Sequence, residues 1–233
     1  MKNKNLALIV ASLLVAVGIF FLGVFLKGGL DNLAFRDRQV SVRGLAERTV
    51  EADYVTWPIS YSVAGNNLSA LYDQVTANNQ KIVNFLTSNG IAKDDISINP
   101  PDTYNATTNQ YSSGNFQYDY SLNCTVTVAT SNVKKVRELL NRQSELLKEG
   151  VPYSNSYINY EYRSLNSIKP DMIADATKAA REAAQKFALD SDSKIGKMKS
   201  ASQGQFSIED LSSSTPYLKK VRVVSNVVYY LED

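Results

Sequence analysis

The sequence predicts an α+β domain of about seven strands and three helices, carried behind an N-terminal membrane anchor. Three observations lead there. Leu6–Leu26 is an unbroken run of twenty-one residues without a charge. Tyr54–Val63 and Gln117–Val128 alternate apolar and polar residues with the period of a half-buried strand. Each of these is followed by a segment of helical period that ends at a glycine, and then by a further strand segment. Strand–helix–strand thus occurs twice, over Tyr54–Asn99 and Gln117–Arg163. The expected architecture is sheets in mainly antiparallel or mixed order with helices packed on one face.

Leu6–Leu26 is long enough, as a helix, to span the hydrocarbon of a bilayer. Lys2 and Lys4 precede it and only Lys27 follows closely, so the positive-inside bias keeps the N-terminus in the cytoplasm and exports the rest. The predicted place is the bacterial inner membrane, single-pass, with the C-terminal domain in the periplasm. A periplasmic protein freed by signal cleavage is the alternative, but no Ala-x-Ala pattern lies between the apolar run and Arg36. The expected divisions are an anchor over residues 1–27, a linker over 28–38 and one domain over 39–233.

Within the domain, Gln39–Arg43 alternates around Val40 and Val42, and Gly44 opens an irregular link through Leu45–Val50. Tyr54–Val63 puts Val55, Trp57, Ile59, Tyr61 and Val63 on one parity. Pro58, on the other parity, predicts an edge or a bulge because it cannot donate to a ladder. Asn66 or Asn67 caps a helix whose inner face is Leu68, Leu71, Val75, Ile82 and Leu86, closed at Asn89-Gly90. Asp95–Asn99 reads as a short strand, and Pro100–Asn115 as a polar loop.

Gln117–Val128 is the clearest strand, with Leu122, Cys124, Val126 and Val128 facing inward. Ser131 or Asn132 caps a helix bearing Val133, Val136, Leu140 and Leu147, closed by Gly150. Ser156–Arg163 follows as a strand. Pro170 sits in the first turn of a third helix with Ile173, Ala176, Ala180, Ala184 and Phe187 inward. Closing strands lie around Lys194–Ile208 and Lys220–Leu231.

The composition excludes much chemistry. No histidine is present, so there is no Ser-His-Asp triad, no Cys-His pair and no His-based zinc site. The single cysteine, Cys124, shares the core parity of its strand and reads as a buried thiol. Asp190-Ser-Asp192-Ser-Lys194 begins like a calcium loop, but Ile195 stands where glycine is required and no acid occupies the twelfth position. Asp94 with Asp95, Glu209 with Asp210, and Glu232 with Asp233 read as solvated pairs. Asn67, Asn105 and Asn123 stand in glycosylation sequons, relevant only in a eukaryotic secretory route. A net charge of +2 with mixed signs offers no basic stripe for nucleic acid. Eight of the fourteen tyrosines cluster at Tyr104–Tyr120 and Tyr153–Tyr162, where packing is favoured over a dedicated surface. No catalytic, cofactor-binding or metal-ligating residue is assigned.

The run Val40-Ser-Val-Arg-Gly-Leu-Ala-Glu47, then Ala52-Asp53 and the alternating strand, resembles the opening hairpin of the SIMPL domain. Tyr104 and Tyr111, the Tyr118–Val128 strand, Val133–Leu140 leading to Gly150, the helix Ala174–Ala188 and Lys194-Ile-Gly-Lys197 resemble the same family in order. The resemblance covers about Gln39 to Leu231. It implies a SIMPL-like fold and a non-catalytic envelope protein linked to stress tolerance, with some bacterial members forming large homo-oligomers. A mammalian member is associated with a signalling kinase.

The expected function is therefore that of a membrane-anchored, non-catalytic protein acting through homo-oligomeric assembly or an envelope partner. A small-ligand binder in an apolar cavity, and an enzyme using carboxylates or tyrosines, are the alternatives. Ser156–Arg163 has aromatics on both parities, with Tyr157 opposite Tyr160 and Tyr162, and Val227–Leu231 is apolar on both. These strands are expected to be covered on both faces, partly by a neighbouring subunit.

Overall fold

The two segments with the clearest alternation become the central strands of a six-stranded sheet. The computed structural model describes residues 13, 15–27, 38–106, 117–154 and 157–232. In chain order come α1 (residues 15–27), β1 (Gln39–Glu51), β2 (Tyr54–Gly65), α2 (Leu68–Ser88), β3 (Ile96–Ile98), β4 (Asp102–Asn105) and β5 (Tyr120–Thr130). They are followed by α3 (Val133–Leu140), α4 (Ser144–Lys148), β6 (Tyr153–Ser154), β7 (Asn159–Glu161) and α5 (Leu165–Asp190). The last strands are β8 (Lys194–Gln203), β9 (Ser207–Asp210) and β10 (Leu218–Glu232). The fold is α+β, with five helices and ten strands among the described residues. Two compact units make it up: a first of Arg48–Ile168 with Ile208–Val221, and a second of Met1–Glu47, Lys169–Ser207 and Arg222–Asp233.

In the first unit the sheet order is β3-β5-β2-β6, with β4 also on β5 and β7 also on β2. β2 and β5 pair without a slip from Val55↔Thr130 to Gly65↔Tyr120. Val55, Trp57, Ile59, Tyr61 and Val63 face Leu122, Cys124, Val126 and Val128 in one core with α2 and α3. Complete burial of a single Val or Leu there stabilises by about 1.5–3 kcal/mol. On the wet face, hydroxyls pair across the strands, Ser60 with Thr125 at 3.0 Å and Ser62 with Ser121 at 3.3 Å.

β2 and β3 both run antiparallel to β5, and β5 and β7 both run antiparallel to β2. The two strand–helix–strand segments are therefore interleaved split β-α-β units, each with one strand of the other inserted between its own. Both flanks of this sheet are broken strands. β3 and β4 continue one another along β5 and are separated at Pro100-Pro101, whose nitrogens cannot donate to the ladder. About seven strands were expected and ten are found among the described residues, because these edges and the segment after α5 are interrupted.

Pro58 corrects one expectation: β2 is neither an edge nor bulged against β5. On its other side β7 pairs with Tyr54–Thr56 and β6 with Ser60 and Tyr61, and residues 57–59 have no ladder partner there among the described residues. The Ser60 carbonyl accepts from Ser154 Oγ on that same side. Pro58, of equal parity, thus aims its missing donor into the gap.

The caps follow the sequence reading. Asn67 Oδ1 accepts from Ala70 N at 3.1 Å, and Asn132 Oδ1 from Lys135 N at 3.3 Å. Gly90 (φ 90°) and Gly150 (φ 80°) close α2 and α4 with the same pair of bonds. Ile91 N–H donates to Leu86 and Gly90 N–H to Thr87, as Val151 does to Leu146 and Gly150 to Leu147. The helix expected to run unbroken to Gly150 is instead split. Bonds from Arg142 N to the Leu139 carbonyl and from Glu145 N to the Arg142 carbonyl tighten the middle. Leu139 and Leu146 are buried there, while Leu147 is exposed. On α2 the inner face takes Asn78 and Phe85 as well, and leaves Leu68 exposed.

In the second unit α5 lies on the sheet β1-β10-β8. Its buried positions are Met172, Ala176, Ala180, Ala184 and Ala188. Ile173 and Phe187, expected inward, are not: Ile173 is half-buried and Phe187 is exposed. Four-residue spacing of alanines lets the helix backbone come close to β1, and Gly44 is the residue it meets. A Cβ at Gly44 would clash with the Ala176 carbonyl and lie 2.9 Å from the Ala180 Cβ. The irregular link expected at Gly44 is thus a strand interior, where glycine serves close approach.

α5 starts at Leu165, so Pro170 lies inside it and not in its first turn. The chain just ahead of α5 is held by Asp53, whose carboxylate accepts from Arg163 N at 2.7 Å and Ser164 N at 2.9 Å. Burial is the largest single influence and raises the Asp53 pKa, but the hydrogen bonds from Arg163 and Ser164 together outweigh it and hold the carboxyl below its ordinary value. A depressed carboxyl stabilises the fold above the unfolded pKa, and that contribution is lost as pH falls through the folded value. Asp53→Ala is expected to cost about 1–2 kcal/mol at neutral pH. In urea unfolding its difference from wild type should shrink once pH drops below about 4.

All described residues of α1 are exposed. Among the described residues no helix is long and apolar enough to cross a membrane. Residues 6–12 and 14 of the expected span, and linker residues 28–37, lie outside the described residues.

Candidate binding groove and the residues singled out by sequence

An open groove of about 750 Å³ lies in the first unit between α3, residues 157–160 and residues 214–217. α3 supplies Lys134, Arg137, Glu138 and Leu140 to it. The Arg137 guanidinium stacks on the Tyr217 ring, 3.4 Å from its centroid, and Tyr217 meets Tyr160 edge-to-face at 6.4 Å. Tyr217 is positioned by its carbonyl, which accepts from Ala52 N at 2.8 Å. Tyr157 stands at the rim, 78% exposed. A second cavity of about 230 Å³ adjoins through Leu140 and Ile158, with Trp57, Ile59 and Leu146 in its walls. It occupies the gap left along β2 at Pro58.

Burial raises the Tyr160 pKa, and neighbouring Arg137 pulls it down only in part. The groove's one acid, Glu138, is exposed and held by Lys135 at 3.2 Å. A phenol made less acidic and an ion-paired carboxylate form recognition chemistry more readily than proton-transfer chemistry. This groove was missed by sequence reasoning because its residues come from three distant segments. Its only visible sign was the excess of tyrosines around Tyr153–Tyr162.

The residues singled out beforehand are scattered. Cys124 is 2% exposed in the core, with burial pushing its thiol pKa up and the Tyr61 hydroxyl partly opposing that. Tyr61 in turn donates to the Val75 carbonyl at 3.0 Å and Asn79 Oδ1 at 2.8 Å. Small thiol reagents should therefore label native Cys124 far more slowly than the unfolded chain. Cys124→Ser should cost about 1–3 kcal/mol by placing a hydroxyl in an apolar layer, read from urea midpoints.

Asp190 and Asp192 belong to the end of α5. Asp192 takes the left-handed position (φ 51°) usually given to glycine, with Ser193 N–H donating to the Ala188 carbonyl. Asp94 and Asp95 lie in a 3-10 turn ahead of β3, so the expected strand begins one residue later than Asp95. Asp210 corrects the solvated reading, since it pairs with the nearly buried Lys219. Among the described residues no three His, Cys, Asp or Glu side chains gather as metal ligands. Tyr111 lies outside the described residues, and Tyr104 is exposed on β4.

The two strands expected to be covered on both faces behave differently from that expectation. The segment Ser156–Arg163 is reduced to β7, with Tyr160 buried and Tyr157 exposed. β10 alternates after all: Val223, Val227 and Tyr229 are buried, while Val224, Val228 and Tyr230 on the other face are half-buried. No curated protein matches this chain. The SIMPL family, described as proteins of unknown function (DUF541), matches residues 40–229, and the chain belongs to that family.

Proposed function

We propose that this chain is a membrane-anchored, non-catalytic envelope protein that acts by homo-oligomeric assembly of its SIMPL domain. The observation that carries the reading is the open sheet of the second unit. Among the described residues β8 has a ladder partner on one side only, and it is exposed at most of its ten positions. Beside it, Val228 and Tyr230 of β10 lie on the face away from α5 and are only half-buried, and Leu45 of β1 is 44% exposed. An open ladder edge and a half-covered apolar face are what a second copy can use. The uncharged run Leu6–Leu26 and the exposed apolar side chains of α1 support the anchor. The family resemblance supports an envelope setting and a link to stress tolerance.

A photo-crosslinking residue at Ser202 of β8, in the full chain in its membrane, tests this. It should give a species of twice the chain mass, and that species should disappear in the Val228→Asp background. Only intrachain products would count against assembly. An N-terminus starting between Gly23 and Arg36 in the purified protein would sink the anchor.

A further inference from the structure

The groove of the first unit carries chemistry that assembly through the second unit does not use. Two cations converge there without a carboxylate partner. Lys134 makes no ion pair with any described residue, and Arg137 lays only the flat face of its guanidinium on the Tyr217 ring, leaving its N–H edge unpaired among the described residues. Glu138 is already neutralised by Lys135. The hydroxyls of Tyr160 and Tyr217 also make no hydrogen bond among the described residues. Positive charge and free donors in one open groove call for an anionic occupant.

The adjoining cavity adds a second requirement. It is small, about 230 Å³, and its walls include Trp57, Ile59 and Leu146. One apolar side chain fits it better than a rigid molecule of groove size. Lys134 and Arg137 are three residues apart on α3, so their stems leave the helix roughly 5–6 Å apart. Alternate side chains of an extended chain are spaced at about 6.6 Å and can reach both.

We infer that the groove between α3, residues 157–160 and residues 214–217 binds an extended polypeptide segment with carboxylates beside one apolar side chain. The apolar side chain enters the cavity at the Pro58 gap. The carboxylates meet Lys134 and the free edge of Arg137, and Tyr157 closes over the bound chain from the rim. Two cations are too few for a nucleic-acid backbone track.

Fluorescence anisotropy with the full chain in detergent tests the proposal, using a fluorescein-labelled Glu-Asp-Gly-Phe-Glu-Asp peptide. Saturable binding is expected, at least tenfold weaker for the Gln-Asn-Gly-Phe-Gln-Asn peptide and at least fivefold weaker with Ser in place of Phe. Lys134→Glu should weaken binding at least tenfold, and Tyr157→Ala severalfold. Both residues are surface positions, so unchanged circular dichroism separates lost binding from lost fold. Absence of binding, equal binding of the neutral peptide, or indifference to Lys134→Glu overturns the proposal. So does Lys134-dependent binding to vesicles with anionic phosphatidylglycerol in place of the peptide, which would make the groove a membrane contact. Peptide binding by the Val228→Asp variant keeps this result separate from the assembly reading.

Discussion

Gly44→Ala is expected to destabilise the protein by at least about 3 kcal/mol, well beyond an ordinary overpacking penalty. The added methyl meets backbone, not a movable side chain: the Ala176 carbonyl oxygen and the Ala180 amide lie inside contact distance. Relief requires moving α5 off β1, which opens the layer formed by Val42, Ala180, Ala184, Val227 and Tyr229. Ala180→Gly removes only the Cβ that lies 2.9 Å away, so it should restore little of the loss in the double variant. Urea unfolding reads both. A cost below about 1 kcal/mol, or full rescue by Ala180→Gly, would contradict this account of the close approach.

The second large effect concerns Lys219, which is 8% exposed on the inward parity of β10 and is ion-paired with Asp210 of β9. Asp210→Ala leaves an ammonium group nearly buried without its partner. The loss should be about 2–3 kcal/mol, toward the low end for a buried pair because Asp210 is itself partly exposed. Lys219→Met should be neutral or stabilising, since the stem keeps its packing and the desolvated charge is gone. The double variant should then recover most of the Asp210→Ala loss. Additivity of the two changes would show that the pair is not coupled.

What could be read in the sequence was what depends on local pattern. The β2–β5 core, the caps at Asn67 and Asn132, and the closing glycines Gly90 and Gly150 each rest on periodicity or a single residue's backbone preference. What could not be read depends on pairing partners. Pro58 looked like an edge marker because nothing in its neighbourhood shows that β6 and β7 stop on either side of it. Gly44 looked like a break because the alanines that make it a packing residue lie more than 130 positions later in the chain. Val227–Leu231 looked two-faced because apolar residues on both parities do not reveal whether the second face is covered. Val228 and Tyr230 are half-buried, so that face is only partly covered. The groove was invisible for the same reason: Arg137, Tyr160 and Tyr217 have no sequence relation.

The native mass of the full chain in detergent, by analytical ultracentrifugation at micromolar concentration with bound detergent subtracted, tests the assembly reading most directly. The open sheet of the second unit predicts an integer multiple of 25.8 kDa that falls to one chain in Val228→Asp, with the variant's circular dichroism unchanged. A wild-type mass of a single chain, or a multiple that survives Val228→Asp intact, would contradict it.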